Sequence, residues 1–348
     1  MIITVETDNQ SYFLRTIGAG VRDYYENPLR IGIVGVSGYG GGEALRLCAN
    51  HPSFEVVYVA GEGSAGQKLV DRFPGIGNLG DLTIQKWDVA SLPELDLLFA
   101  SLPSGESKEA LARVNEKTKI VDIGGDHRFV DGWTYGLADV WPEEIVKSMR
   151  VANPGCYAAA TITALAPLLA NNLLDAGQII VDAKSGVSGA GRGGGATFGF
   201  ADVNEDVCAY GLFKHAQIGE MTKAIAKIGG WEPMLTFTPH LIPMTRGILS
   251  TCYAKGAATT ADCLAAARSF YAKRPFVRVV DAPPHTKWAT GSNLVFVSYA
   301  ADPARELIIA LGAIDNLGKG AAAQAVQNAN LMTGLPVTTG LLGAPLWP

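Results

Sequence analysis

From Arg30 onward the apolar positions fall into a regular order. Arg30–Val36, RIGIVGV, is a continuous apolar run rich in β-branched residues and closed by glycine, the pattern of a buried strand. In the following SGYGGGEALRLCANHP, the apolar residues Ala44, Leu45, Leu47 and Cys48 read as a helix that stops near Pro52. Phe54–Gly61, Asp96–Pro103 and Lys119–Gly125 repeat the strand pattern, and a helical stretch over Ser107–Asn115 separates the last two. Strands and helices alternating at this spacing predict an α/β fold with a Rossmann-like, doubly wound parallel sheet.

Beyond the segment ANPGCY the texture changes. A helix over Ala158–Ala170 precedes strands at Gln178–Ser185, Met234–Leu241, Ile248–Ala254, Phe276–Asp281 and Asn293–Ala300. These are richer in Thr, Val and Tyr and have longer connections, which predicts a second, mixed α+β sheet. Ala321–Gly334 is an amphipathic helix with a glycine stop, and there is no internal repeat. Residues 1–29 carry Glu6, Asp8, Asp23 and Glu26 without an apolar block, and read as an N-terminal extension.

Composition narrows the function classes. With 48% hydrophobic residues among 348, the chain can bury one large core or two ordinary ones. Its 28 basic and 33 acidic residues show no basic field of the kind that marks nucleic-acid or anionic-membrane binders. No apolar run reaches membrane-spanning length. The five cysteines form no CxxC pair and no metal-ligand cluster, so no metal site is expected and a reducing compartment fits best. The expectation is a soluble, cytoplasmic protein with a small-molecule partner.

Glycine is the outlier, at 41 residues, and it clusters in loops. Gly35, Gly38 and Gly41 lie between the first strand and the first helix, where glycines let backbone approach a pyrophosphate at a helix N-terminus. A tight turn alone is the plain alternative. Gly61 rather than an acidic residue ends the second strand, and Ser64 and Lys68 downstream could meet a 2′-phosphate, which points to NADP. Cys156 follows Pro154-Gly155 at a predicted helix start, where the helix dipole favours a thiolate. The other four cysteines read as core or neutral. A third glycine-rich stretch, Ala183–Gly195, carries Lys184, Ser185, Ser188 and Arg192 and suits a phosphate or carboxylate. The histidines His51, His127, His215, His240 and His285 are each acid–base candidates, with nothing in the sequence to rank them.

Together, GVSGYGGGEALRL, VANPGCY, DAKSGVSGAGR, FTPHLIPMTRGI and AIDNLGKGAAAQAVQNANLMTGL resemble the N-acetyl-gamma-glutamyl-phosphate reductase family, relatives of aspartate-semialdehyde dehydrogenase. The likeness runs from about Arg30 to Leu341. It implies an NADP-binding domain from 30–155 and 318–348 and an α+β catalytic and dimerisation domain from 156–317. It further implies a phosphorylating reductase of arginine biosynthesis, an NADP enzyme that reduces N-acetyl-gamma-glutamyl phosphate to the semialdehyde through a cysteine thioester, with inorganic phosphate as co-product. In this likeness Cys156 is the nucleophile and His215 its acid–base partner. Gly35, Ser37, Gly38, Tyr39, Gly40, Gly41, Ser64, Ser185 and Gly186 belong to the cofactor site. Ser188, Arg192, Glu220 and Arg246 face substrate, and a homo-oligomer, dimer or tetramer, is implied. Three runs depart from the family pattern. HAQIGEM stands for HxHxPEI, placing Gln217 and Gly219 where a histidine and a proline are usual; DIGGDHR stands for DLSADFR; and GKGAAAQ stands for VKGAAGQ. These changes leave open the same chemistry on another acyl phosphate, such as an aminoadipyl-type or specialised-metabolite substrate. A cofactor-binding regulatory protein and a cysteine hydrolase are the competing classes.

Overall fold

A computed structural model describes residues 27–192 and 199–347. Most of the N-terminal extension therefore lies outside the described residues, as does part of the third glycine-rich stretch. The first sheet contains β1 (Leu29–Val34), β2 (Phe54–Ala60), β3 (Leu97–Ala100), β4 (Lys119–Asp122), β5 (Thr134–Tyr135) and β6 (Arg150–Ala152). All its pairings are parallel, in the order β2-β1-β3-β4-β6-β5. Strand order reverses at β1, so the crevice between the C-terminal ends of β1 and β3 is the place where such sheets take ligands. The second sheet contains β7 (Gln178–Gly186), β8 (Cys208–Ala209), β9 (Met234–Ile242), β10 (Ile248–Lys255), β11 (Val277–Val279), β12 (Val295–Asp302) and β13 (Leu307–Ile314). It is mixed, in the order β11-β12-β13-β10-β7-β9-β8.

Five helices of eleven residues or more stand among the described residues: α1 (Tyr39–Ala49), α2 (Cys156–Ala170), α3 (Gln217–Gly229), α4 (Thr260–Phe270) and α5 (Ala323–Thr333). In α2, CYAAATITALAPLLA, every residue from Tyr157 to Leu169 is buried, as expected of a helix apolar on all sides. It lies on the second sheet, and its close approach depends on Gly312 of β13, where a Cβ would sit 2.4 Å from the Ala160 carbonyl oxygen. The C-terminal helix α5 returns to the first core, where Ala325, Val326 and Ala329 join Ile31, Ile33, Leu45 and Val121.

Expected element bounds shift at several ends. The helix expected over Ser107–Asn115 covers Ser107–Leu111, and α2 starts at Cys156, two residues before Ala158. Two further elements, α4 and β13, stand where no element was expected, although α4 opens on a Thr259–Asp262 capping box and β13 alternates in burial over its first six residues. Cys208 is not in the core: it is exposed on the short edge strand β8, while Cys48, Cys252 and Cys263 are buried.

One face of the second sheet carries the helices. On the other, Tyr253 of β10 sits between Ile180 of β7 and Ile309 of β13, with Leu311 and Leu249 continuing the apolar ladder. Ile180 is exposed and the other four are only partly buried.

Candidate active site

The glycine loop between β1 and α1 is shaped by contact. Gly35 has φ +82°, and a Cβ there would lie 2.0 Å from the Ser101 carbonyl oxygen at the end of β3. A Cβ on Gly41 would lie 2.2 Å from the Gly35 oxygen, so this glycine lets α1 pack against the turn. Gly38 is different: it is the N-cap of α1, and its nearest neighbour to a Cβ is at 3.5 Å. No side chain caps α1 and no acidic residue occupies its first turn, which leaves the first-turn N–H groups and the positive end of the helix dipole for an anion. The residues present thus fit a dinucleotide pyrophosphate. Ser37 and Ser64 hydrogen-bond to one another across this loop, bringing the end of β2 to the glycine turn. Tyr39 faces Arg192, whose guanidinium carbon is 5.0 Å from the ring centroid, so the loop after β7 reaches the glycine turn of the first sheet.

Cys156 is the first residue of α2, with Gly155 as extended N-cap. Gly320, in a single π-helical turn over Gly318–Ala322, packs so closely that a Cβ there would lie 2.7 Å from the Cys156 Cβ. Two side chains of α3 reach the same turn. Glu220 accepts the Gly155 N–H at 2.8 Å, the Tyr135 hydroxyl at 2.6 Å and Arg128 Nη1 at 3.0 Å. Gln217 Oε1 accepts the Ala158 N–H at 2.9 Å, and Gln217 Nε2 lies 4.0 Å from Cys156 Sγ. Arg128 is anchored from its other side, its Nε donating to the Asn153 carbonyl at 2.9 Å.

The helix start was expected to lower the Cys156 pKa, but burial outweighs it and pushes the thiol up. The Gln217 amide, the Arg128 charge and the Tyr157 N–H act in the opposite sense. His215 stands beside this turn, its ring centroid 5.5 Å from that of Tyr157 and 5.2 Å from that of Phe237. Its Nδ1 accepts the Gln217 backbone N–H at 3.2 Å, so the neutral imidazole carries its proton on Nε2. Burial and the Arg128 charge hold its pKa below the ordinary value.

The remaining histidines are engaged elsewhere. His51 is bonded to Asn330 and His240 to Asp182. His127 pairs with buried Asp122 and stacks on Trp133, and His285 stacks on Trp288.

The structure therefore gathers Cys156, His215, Gln217 and Glu220 at one turn. It does not bring Arg246 there: Arg246 forms a two-pronged pair with Glu43 of α1, at 3.0 and 2.9 Å, and a further contact with Asp315 at 3.3 Å. Ser185 Oγ donates to the Gly186 carbonyl at 3.0 Å, and Ser188 Oγ accepts from Asn316 at 2.9 Å. Gly186 runs against Thr245, whose oxygen would be 2.7 Å from a Cβ. Arg128 was missed by sequence reasoning, although it closes the run DIGGDHR; an arginine two residues after an acidic one carries no local signal of a partner 92 residues away.

Comparisons with known proteins agree with this layout. Residues 30–148 match the family model "Semialdehyde dehydrogenase, NAD binding domain", and 156–316 match "Semialdehyde dehydrogenase, dimerisation domain". Among solved structures, an aspartate semialdehyde dehydrogenase with NADP from Candida albicans has a TM-score of 0.72 at 17% identity, covering 88% of this chain and 98% of that one. Aspartate semialdehyde dehydrogenase II complexed with ASA from Vibrio cholerae gives 0.71 at 19% identity, over 88% and 99% of the two chains. At such identities these show the fold. In sequence, the N-acetyl-gamma-glutamyl-phosphate reductase of Bradyrhizobium sp. (strain ORS 278) is 67% identical over 322 residues, 92% of this chain and 99% of that protein. The namesake from Methylobacterium sp. (strain 4-46) is 65% identical over 323 residues, with the same coverage. A chain that matches both semialdehyde dehydrogenase domain models and has this degree of likeness belongs to the N-acetyl-gamma-glutamyl-phosphate reductase family.

Proposed function

We propose that this chain reduces N-acetyl-gamma-glutamyl phosphate to the semialdehyde with NADPH, releasing inorganic phosphate, as a cytoplasmic step of arginine biosynthesis. The observation that carries the reading is the seating of Cys156 at the first position of α2, hydrogen-bonded to Gln217 and within the field of Arg128, with His215 alongside. The Cys156 thiolate attacks the acyl carbonyl, the carbonyl–oxygen bond to phosphate breaks, and phosphate leaves a thioester on sulfur. The Arg128 charge favours the anionic sulfur, while the Glu220 bond to the Gly155 N–H fixes the turn on which the sulfur rides. When bound, the nicotinamide cofactor supplies a hydride, which a thioester accepts and a carboxylate does not. His215, whose Nε2 carries the proton, would donate to the departing phosphate oxygen or to the carbonyl oxygen as it gains charge. Cleavage of the carbon–sulfur bond then releases aldehyde and returns the thiolate.

The pyrophosphate is assigned to the Gly35–Gly41 turn with Ser37, Tyr39 and Gly40, and the adenosine end to Ser64. Ser185 and Gly186 belong to the nicotinamide side, and Ser188, Arg192, Glu220 and Arg246 to the substrate side. Of these, Glu220 and Arg246 act through the partners already described, since both have their charge satisfied within the protein. The return of α5 to the first core supports domains at 30–155 with 318–348, and at 156–317. Two copies would pair through the Ile180–Tyr253–Ile309 face, an apolar ladder that a dimer removes from water.

The test is the reverse reaction, given the semialdehyde, NADP and phosphate and followed by absorbance of the reduced nicotinamide. Phosphate-dependent turnover that vanishes in Cys156→Ser and falls sharply in His215→Ala is expected. Turnover without phosphate, or full activity in Cys156→Ser, would reject the reading. Full turnover with NAD in place of NADP would reject the cofactor assignment.

A further inference from the structure

We propose that Gln217 is the positioning residue of the nucleophile, its side-chain amide bridging the first turn of α2 by accepting the Ala158 N–H and donating to the Cys156 sulfur. The inference rests on the reading of Cys156 as nucleophile. It concerns what steadies the sulfur.

Three observations converge. The amide makes both contacts at once, so its orientation is set: Oε1 at 2.9 Å from the Ala158 nitrogen forces Nε2 to the sulfur side. Gly155 is shaped to admit it, since a Cβ on that residue would lie 2.3 Å from the Gln217 side-chain carbon. The backbone N–H of Gln217 donates to His215 Nδ1, so one residue orients both the sulfur and the imidazole.

The chemistry of this arrangement differs from that of a cysteine–histidine ion pair. An amide is a donor to the sulfur at every pH and never carries charge. The charged and titratable groups near the sulfur are Arg128, whose charge favours the anionic sulfur, Glu220, which opposes it, and the hydroxyls of Tyr157 and Tyr210, with His215 against the Tyr157 ring. From the π-helical turn, Lys319 is turned away into its pair with Asp139. The position adjacent to the sulfur is thus occupied by a neutral donor, and His215 remains free to serve as the proton donor. In the sequence this residue stands where the family pattern has its second histidine.

The experiment is alkylation of the full chain by iodoacetamide across pH, with modification of Cys156 read by peptide mass spectrometry to separate it from exposed Cys208. Gln217→Ala removes the donor to sulfur and is expected to slow Cys156 alkylation about tenfold near neutral pH, moving the inflection up by about one pH unit. Gln217→Glu keeps the acceptor for the Ala158 N–H but sets a carboxylate against the sulfur, and is expected to be slower still. A purely structural role predicts the reverse for this second variant, with rescue by the near-isosteric carboxylate. Wild-type alkylation in Gln217→Ala, or in Gln217→Glu, would overturn the proposal. Should the alanine variant fail to fold, the glutamate variant decides alone. Alkylation needs no substrate, so a failure of the reductase assay leaves this result standing, and the two failures are distinguishable.

Discussion

Glu43 offers a quantitative test of how the two sheets are held in register. Its carboxylate sits on α1, the helix that follows the glycine turn, with a side-chain exposure of only 4%, and takes both prongs of Arg246 from the second domain as well as Arg46 from its own helix. Burial alone would push the carboxyl up. The two guanidiniums more than reverse that, and leave it at about 2 against an ordinary 4.5. At about 1.4 kcal/mol per tenfold in proton affinity, that difference is about 3 kcal/mol of folding free energy. Because the folded-state value is the depressed one, the contribution is complete well above 4.5 and is lost as pH falls toward 2. At pH 3.5 about 2 kcal/mol should remain. Glu43→Gln keeps the shape and removes the charge. Urea unfolding followed by tryptophan fluorescence should show wild type ahead by about 3 kcal/mol at neutral pH, with the gap narrowing on acidification. Equal stability at pH 7, or a gap that stays constant between pH 7 and 3.5, would refute the argument.

Other consequences follow from the same geometry. Gly41→Ala forces a methyl against the Gly35 oxygen at 2.2 Å, so dinucleotide affinity by fluorescence titration should fall at least tenfold and stability by about 1–3 kcal/mol; unchanged affinity would contradict the assigned cradle. Lys319→Met strips the buried Asp139 of its cation while Gln327 still bonds it, and should cost about 3–5 kcal/mol in thermal or urea unfolding; a neutral effect would contradict a stabilising buried pair. His215→Ala should depress the maximal rate far more than cofactor affinity, and a loss confined to affinity would remove it from the chemistry. Tyr253→Lys, on the apolar ladder, should shift sedimentation toward a monomer while leaving the circular dichroism spectrum unchanged.

Much of this protein is legible from local pattern. The strand–glycine–helix unit at Arg30–Ala49 announces itself because apolar run, turn and amphipathic helix are contiguous, and each needs only its neighbours to be recognised. The same holds for Cys156, marked by Pro154-Gly155, and for the glycine stop of α5, where Gly334 takes φ +75°. The electrostatics of the sulfur were not legible. Its position at a helix start argued for a low pKa, but the balance is set by burial beneath Gly320, which lies 164 residues further along, and by Arg128 and Gln217, each delivered by a different element. The partnering of Arg246 with Glu43 joins residues 203 apart, and nothing in either local segment signals the other. Sequence by itself determined the alternation of elements, the two sheets and the placing of Cys156 at a helix start, since these depend on periodicity and turn chemistry within a dozen residues. Only the tertiary structure decided which charges meet, which are buried, and which residue touches the sulfur. Coulomb energy and desolvation depend on distance through space, and the fold alone sets that distance.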